Sequence, residues 1–177
     1  MNCKIKWYFV LLLSIVLFFF FNSCKNNNLS GAEYVKNLRG KRIVLEDTMD
    51  VFQNSKILIL VPDTGDCMTC AMQVYDWYIY KLDLEKHKLE CEIIYILDDS
   101  VKINKNVANL INRYNLHQVS CLSLFYAKNP ILKDAPFTTF LVDKNNKIEL
   151  LGSPIDNESL WILYKKVLAY ESVSKLK

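Results

Sequence analysis

The stretch Lys56-Ile-Leu-Ile-Leu-Val61, ended by Pro62, constrains this chain more than any other feature. It is a continuous apolar run rather than an alternating one. That pattern suits a strand covered on both faces, as in a parallel sheet with helices above and below. Pro62-Asp63-Thr64-Gly65-Asp66 then reads as a loop. From Cys67 to about His87 there is no Pro or Gly. Ala71, Val74, Tyr75, Tyr78 and Leu82 recur at three- and four-residue spacing, with Trp77 at their border, which predicts a long helix capped by Asp66.

The same signals place the other elements. Ala32–Leu38 reads as a short helix and Ile43–Glu46 as an edge strand. Glu90–Leu97 is a second strand. A helix over roughly 103–114 presents Val107, Leu110, Ile111 and Tyr114 on one face. Val119–Ser123 is a short strand, and Phe125–Phe137, with Pro130 and Pro136, is a long connection. Thr138–Asp143 is a third strong strand. The turn Lys144-Asn145-Asn146 returns it antiparallel through Lys147–Leu151, and Gly152 and Pro154 end that arm. Leu160, Leu163, Tyr164, Val167 and Leu168 mark a final helix from about Asp156 to Glu171. Parallel units followed by a hairpin predict a mixed α/β sheet with helices on both faces.

The N-terminus differs from all of this. Lys4 and Lys6 precede fifteen uncharged residues, Trp7 to Phe21, interrupted only by Ser14. Fifteen residues fall short of the ~20 needed to span a ~30 Å hydrocarbon core and match a signal-peptide core. Ser23 and Cys24 follow at once. The arrangement resembles a bacterial lipobox, which implies cleavage after residue 23 and lipidation of Cys24. The expected organisation is a signal peptide over 1–23, a polar tether over 24–31 and one domain over 32–177. Two or three acyl chains give stable anchoring where one is marginal. The whole chain carries a net charge of +3, and removing Lys4 and Lys6 leaves about +1, so charge gives no argument for a nucleic-acid partner. Six Cys in 177 residues are too dilute for a disulfide-built scaffold. After loss of Cys3 and lipidation of Cys24, four thiols remain: Cys67, Cys70, Cys91 and Cys121.

Cys67-Met68-Thr69-Cys70 stands where a buried strand hands over to a long helix. On a first helical turn two sulfurs at this spacing approach each other without distorting the backbone. The first faces the orphan N–H groups and positive dipole end, which favour a thiolate. A lowered pKa makes it the attacking sulfur, and the second resolves the mixed disulfide.

Strand, C-x-x-C at a helix start, a second βα unit, then hairpin and helix together resemble the thioredoxin fold. Thr138-Thr139-Phe140-Leu141-Val142-Asp143, the turn after it and Gly152 resemble the hairpin of the TlpA-like thiol–disulfide oxidoreductases, and 115–137 sits where that group inserts a short strand and helix. The resemblance spans roughly residues 43–170. It implies dithiol–disulfide exchange with protein substrates, Cys67 as nucleophile and Cys70 as resolver, with no organic cofactor and no metal. It implies a lipid-anchored protein of the bacterial envelope, facing the periplasm on the outer membrane, with the membrane and protein thiols or a redox partner as its contacts. Where the family has an aromatic residue before the first Cys, this chain has Asp66. Where the family has a cis-Pro before Thr-Thr-Phe, Phe137 stands, with Pro136 one residue earlier, so Pro136 and Phe137 are the candidate substrate-loop residues. Lys56–Val61 holds no counterpart of the acid often buried under the resolving Cys.

Two other readings of the pair stay open: a structural disulfide stapling a redox-inactive binding module, and a metal carrier. The remaining Cys91, Cys121, His87 and His117 lack the recurring spacing of a zinc site. Cys91 and Cys121 are expected to be small buried residues. His87 is expected at the C-terminal end of the long helix and His117 in a loop. Tyr75, Trp77, Tyr78 and Tyr80 are expected to be mostly packing groups.

Overall fold

The computed structural model describes residues 30–62 and 72–174. Residues 1–23, Cys24, Asp66, Cys67 and Cys70 lie outside the described residues. Gly31–Lys177 form one unit. Among the described residues no helix is long and apolar enough to cross a membrane.

The helices are α1 (Gly31–Leu38), α2 (Asp47–Asp50), α3 (Val74–Lys86), α4 (Lys105–Arg113), α5 (Leu122–Lys128), α6 (Pro130–Lys133) and α7 (Glu158–Ser174). The strands are β1 (Ser55–Val61), β2 (Cys91–Leu97), β3 (His117–Ser120), β4 (Thr139–Val142) and β5 (Ile148–Leu151). They form one sheet in the order β3-β2-β1-β4-β5. β2 runs parallel to β1 and β3 parallel to β2; β4 is antiparallel to β1 and β5 to β4. This is the expected mixed sheet, with the thioredoxin-like core β2-β1-β4-β5 and β3 added at one edge.

Every residue of β1 is buried, as its unbroken apolar run demands of a central strand. Ile57, Ile59 and Val61 enter one core layer with Val74, Trp77, Val107, Ile111, Trp161 and Tyr164, from α3, α4 and α7. Leu58 and Leu60 enter the other with Leu38, Met49, Leu122, Phe125 and Leu132, from α1, α2, α5 and α6.

Local chemistry fixes the element ends. Asn104 caps α4 by accepting from the Val107 amide at 2.9 Å, and the Asn157 carboxamide accepts from the Leu160 amide at 3.0 Å at the start of α7. α3 ends in a Schellman motif: Lys88 is left-handed at φ 55°, its amide bonds the Glu85 carbonyl, and the Leu89 amide bonds the Leu84 carbonyl. Asn115 (φ 51°) ends α4 in the same way. In the β4–β5 turn the Asp143 carboxylate accepts from the amides of Asn145 (2.9 Å) and Lys147 (2.7 Å), and Asn146 takes the left-handed position.

Several expectations need correction. Ile43–Glu46 is not a strand. It is an extended segment joined to the β5 side by a single bridge, Arg42–Lys147, because Asn129 takes over the backbone of Val44. The third short strand is His117–Ser120, so His117 is not a loop residue, and Cys121 stands at the N-terminal cap of α5. The connection 125–137 is largely helical, with Pro130 in the first turn of α6, where a missing N–H costs nothing. Of the long helix expected from Cys67, residues 67–71 lie outside the described residues; Gln73, left-handed at φ 44°, interrupts it, and α3 runs on from Val74. Its buried face is Val74, Trp77, Lys81 and Leu84, whereas Tyr75 is 63% and Leu82 41% exposed. Likewise Trp161 and not Leu163 fills the α7 face.

Candidate functional site

The parallel register sets β1, β2 and β3 to end at one level, since Val61 pairs with Leu97 and Leu97 with Ser120. β1 lies between a parallel and an antiparallel neighbour, so its C-terminal end is the switch point of the sheet. Open α/β sheets bind their ligands in such crevices. The segment carrying Cys67 and Cys70 leaves from this point after Pro62 and rejoins the described chain at Met72.

The flanks of that point are well tied. The Asp98 amide donates to the Val61 carbonyl at 3.0 Å, and the Leu60 amide donates to the Thr138 carbonyl at 2.7 Å. Asp98 is held below the usual carboxylate range because the hydroxyl and amide of Ser100 both donate to it. Met72 is fully buried, and Gln73 holds the strained conformation just before α3.

α3 is clamped on both sides. Tyr78 stacks on Tyr114, the residue that caps the C-terminus of α4, at 3.9 Å between centroids. Towards α7, Trp161 Nε1 and Lys165 Nζ each donate to Asp83 at 2.8 Å, and these bonds hold its carboxyl below the usual range. Tyr80 meets Trp161 edge to face at 4.4 Å and donates its hydroxyl to the Pro154 carbonyl at 2.9 Å. These contacts hold α3 between α4 and α7 from Tyr78 to Asp83.

The 136–138 loop reaches the end of β1 through its backbone. Pro136 is exposed, and among the described residues no peptide bond is cis. The Phe137 ring turns into the α1 side of the sheet, where it packs with the second core layer and lies against Gly31 and Gly152.

The other thiols separate cleanly. Cys91 is buried at the far end of β2, opposite Ser55. Six residues of strand, about 20 Å, part it from the level of Val61. Burial, with Glu92 and Glu171 nearby, pushes its thiol up, so it stays protonated. Cys121 follows Ser120, two strand spacings or about 10 Å from the end of β1. Burial and the charges of Glu46 and Asp99 raise it too.

Neither His is near the switch point. His87 closes the far end of α3, about 20 Å of helix away. His117 starts β3, with Nε2 3.1 Å from Glu92 and its ring against Phe52 at 4.4 Å. Among the described residues no group of three or more His, Cys, Asp or Glu has the arrangement of a metal site.

Sequence reasoning missed Tyr95. It interrupts an apolar strand, lies wholly buried in the layer shared by Met72 and Val74, and its hydroxyl has no partner among the described residues. Burial first, and Asp76 second, push that hydroxyl far up. The Asp83–Trp161–Lys165 clamp was also missed, because its members lie 78 and 82 residues apart in sequence.

The sheet order and the two covered faces define a thioredoxin-like α/β domain. No family model and no curated protein matches the chain. Among solved structures, one similar chain is the thioredoxin domain of a thiol-disulfide oxidoreductase from Bacteroides vulgatus. It is 13% identical over 68% of this chain and 83% of that chain, with a TM-score of 0.44. Another is a SCO1/SenC family lipoprotein from Bacillus anthracis, 16% identical over 76% of this chain and 85% of that chain, with a TM-score of 0.47.

Proposed function

We propose that this protein is an envelope-facing thiol–disulfide oxidoreductase, anchored by lipid on Cys24 and facing the periplasm from the outer membrane. Cys67 attacks one sulfur of a substrate disulfide and the other substrate sulfur leaves as a thiolate. Cys70 then attacks Cys67 Sγ, releasing the reduced substrate and leaving a Cys67–Cys70 disulfide. The reverse sequence oxidises a substrate dithiol. Each direction moves two electrons between the pair and a partner, so no cofactor enters the step.

One observation carries the reading: the Cys67-Met68-Thr69-Cys70 segment belongs to the stretch between Val61, the end of a doubly buried central strand, and the clamped helix that starts at Val74. A protein substrate has the exposed Pro136 beside this point, and Pro136 and Phe137 are the proposed substrate loop.

The test is turnover of a protein disulfide with the wild type, with Cys70→Ser, and with the Cys67→Ser/Cys70→Ser pair. Exchange is expected to vanish in the double variant, and Cys70→Ser is expected to accumulate a mixed disulfide through Cys67. A double variant that binds a partner as before, in a protein whose wild type never turned over, would establish the binding module stapled by a structural disulfide. Stoichiometric metal retained through gel filtration, and lost from the double variant, would establish the metal carrier.

A further inference from the structure

The outer edge of β5 is covered at its first residue, Ile148, and along the turn before it. Residues 40–43 run along it: the Gly40 amide bonds the Ile148 carbonyl at 2.6 Å, and the Ile43 amide bonds the Asn146 carbonyl at 2.8 Å. Such cover protects a sheet edge from unwanted pairing. The segment is strongly cationic. Within 36–42, Lys-Asn-Leu-Arg-Gly-Lys-Arg, there are four cations and no acid.

The bridge sets Arg42 directly opposite Lys147. Directly opposed residues bring their Cβ atoms to about 5 Å, and like charges there repel. Lys36, Lys41, Arg42, Lys144 and Lys147 are all exposed, and among the described residues none of them forms an ion pair. Arg39 is different, since it shares a cavity of about 480 Å³ with Asp143, Glu149 and Glu171. The Asp143 carboxylate accepts from two backbone amides, and among the described residues it forms no ion pair with Lys144 or Lys147. Ile43 and Leu45 point inward while Val44, in phase with Arg42, is 51% exposed. A row of unpaired cations around an exposed Val has the composition of a surface that lies on anionic lipid headgroups.

We infer that this edge docks on an anionic lipid bilayer, through Lys36, Arg42, Lys144 and Lys147 with Val44 at the headgroup level. The inference rests on the lipid anchor of the proposed function. From Cys24 to Gly31 there are seven residues, which span at most about 25 Å. The first element after so short a tether is α1, and the cationic edge follows it immediately. Near an anionic surface each Lys or Arg strengthens binding about fivefold, within a screening distance of ~10 Å.

The test adds the full lipidated chain to preformed vesicles of phosphatidylcholine alone or with one-third phosphatidylglycerol. Amine-labelling rates are read lysine by lysine, with Lys86 on α3 and Lys105 on α4 as references. Lys36, Lys144 and Lys147 are expected to label at least fivefold more slowly on phosphatidylglycerol vesicles. The protection is expected to disappear in 0.5 M salt. Arg42→Glu is expected to fold, because it places opposite charges across the bridge, and to lose most of the protection. Equal rates on both vesicles, or full protection in Arg42→Glu, would overturn the docking. Flotation with phosphatidylcholine reads the anchor separately: a chain that fails to float there yet shows the protection on phosphatidylglycerol keeps the surface and removes the anchor.

Discussion

Asn129 holds together two parts of the chain that sequence reading treated as a strand and a loop. It is buried, and its side chain makes three bonds. Its Oδ1 accepts from the Val44 amide at 2.8 Å, and its Nδ2 donates to the Val44 carbonyl at 2.8 Å and the Phe125 carbonyl at 2.9 Å. The carboxamide thus imitates a neighbouring strand for Val44 and fastens α5 to the edge segment. Net values near 1 kcal/mol per bond give about 3 kcal/mol for Asn129→Ala. Water can take up part of the loss at Val44, which is exposed, and the Phe125 carbonyl keeps the bond from the Asn129 backbone amide at 2.9 Å, so about 2 kcal/mol is expected. For a domain of this size that is a fall of roughly 5–10 °C in Tm. Asn129→Asp is expected to cost more, because it aims a carboxylate at two carbonyl oxygens. Urea titration of both variants measures the losses, and hydrogen exchange at the Val44 amide tests the cause, since it must accelerate in Asn129→Ala. A loss below about 0.5 kcal/mol, or an unchanged Val44 amide, would refute the reasoning.

Other expectations follow from single contacts. Trp77→Ala empties the core face of α3 and is expected to cost about 3–5 kcal/mol, whereas Tyr75→Ala on the exposed face should stay within about 0.5 kcal/mol; equal effects in denaturant titrations would reverse the assigned helix phase. Glu92 is held below its ordinary value of 4.5 chiefly by the hydrogen bond from His117. Its stabilisation is therefore complete above that value and lost as pH falls through the lowered one. The wild type should lose stability between about pH 5 and 3 more steeply than Glu92→Gln, and coincident acid limbs would contradict this. Gly152 has φ 102°, a conformation that side chains rarely adopt, so Gly152→Ala is expected to lower stability by about 1–2 kcal/mol in a thermal melt.

The strands of the core were legible because their signals are local. β1 and β2 are apolar on both faces, and the β4–β5 hairpin carries its own turn residues. The α3 face was not legible, because Tyr75, Ile79 and Leu82 are apolar on the solvent side and Lys81 is buried on the core side. Lys81 is accommodated by donating its ammonium to the Asn115 carbonyl while its stem packs inward. No periodicity rule sees that bond. The helices of 122–133 were hidden by Asn129-Pro130, which reads as a turn and in the fold serves as a cap, a strand mimic and a helix start. For the site, sequence named the cysteines, Pro136 and Phe137. Tyr95 and the clamp on α3 depend on which residues face each other across the core.

The central claim is reversible chemistry at Cys67 and Cys70, and a redox titration of the mature chain tests it most directly. The protein is poised in dithiothreitol or glutathione buffers, free thiols are trapped with a mass tag, and the tagged cysteines are located. The account predicts a Cys67–Cys70 couple between about −120 and −270 mV, with Cys91 and Cys121 reduced throughout. A couple below about −300 mV, or no Cys67–Cys70 disulfide at any poise, would contradict it.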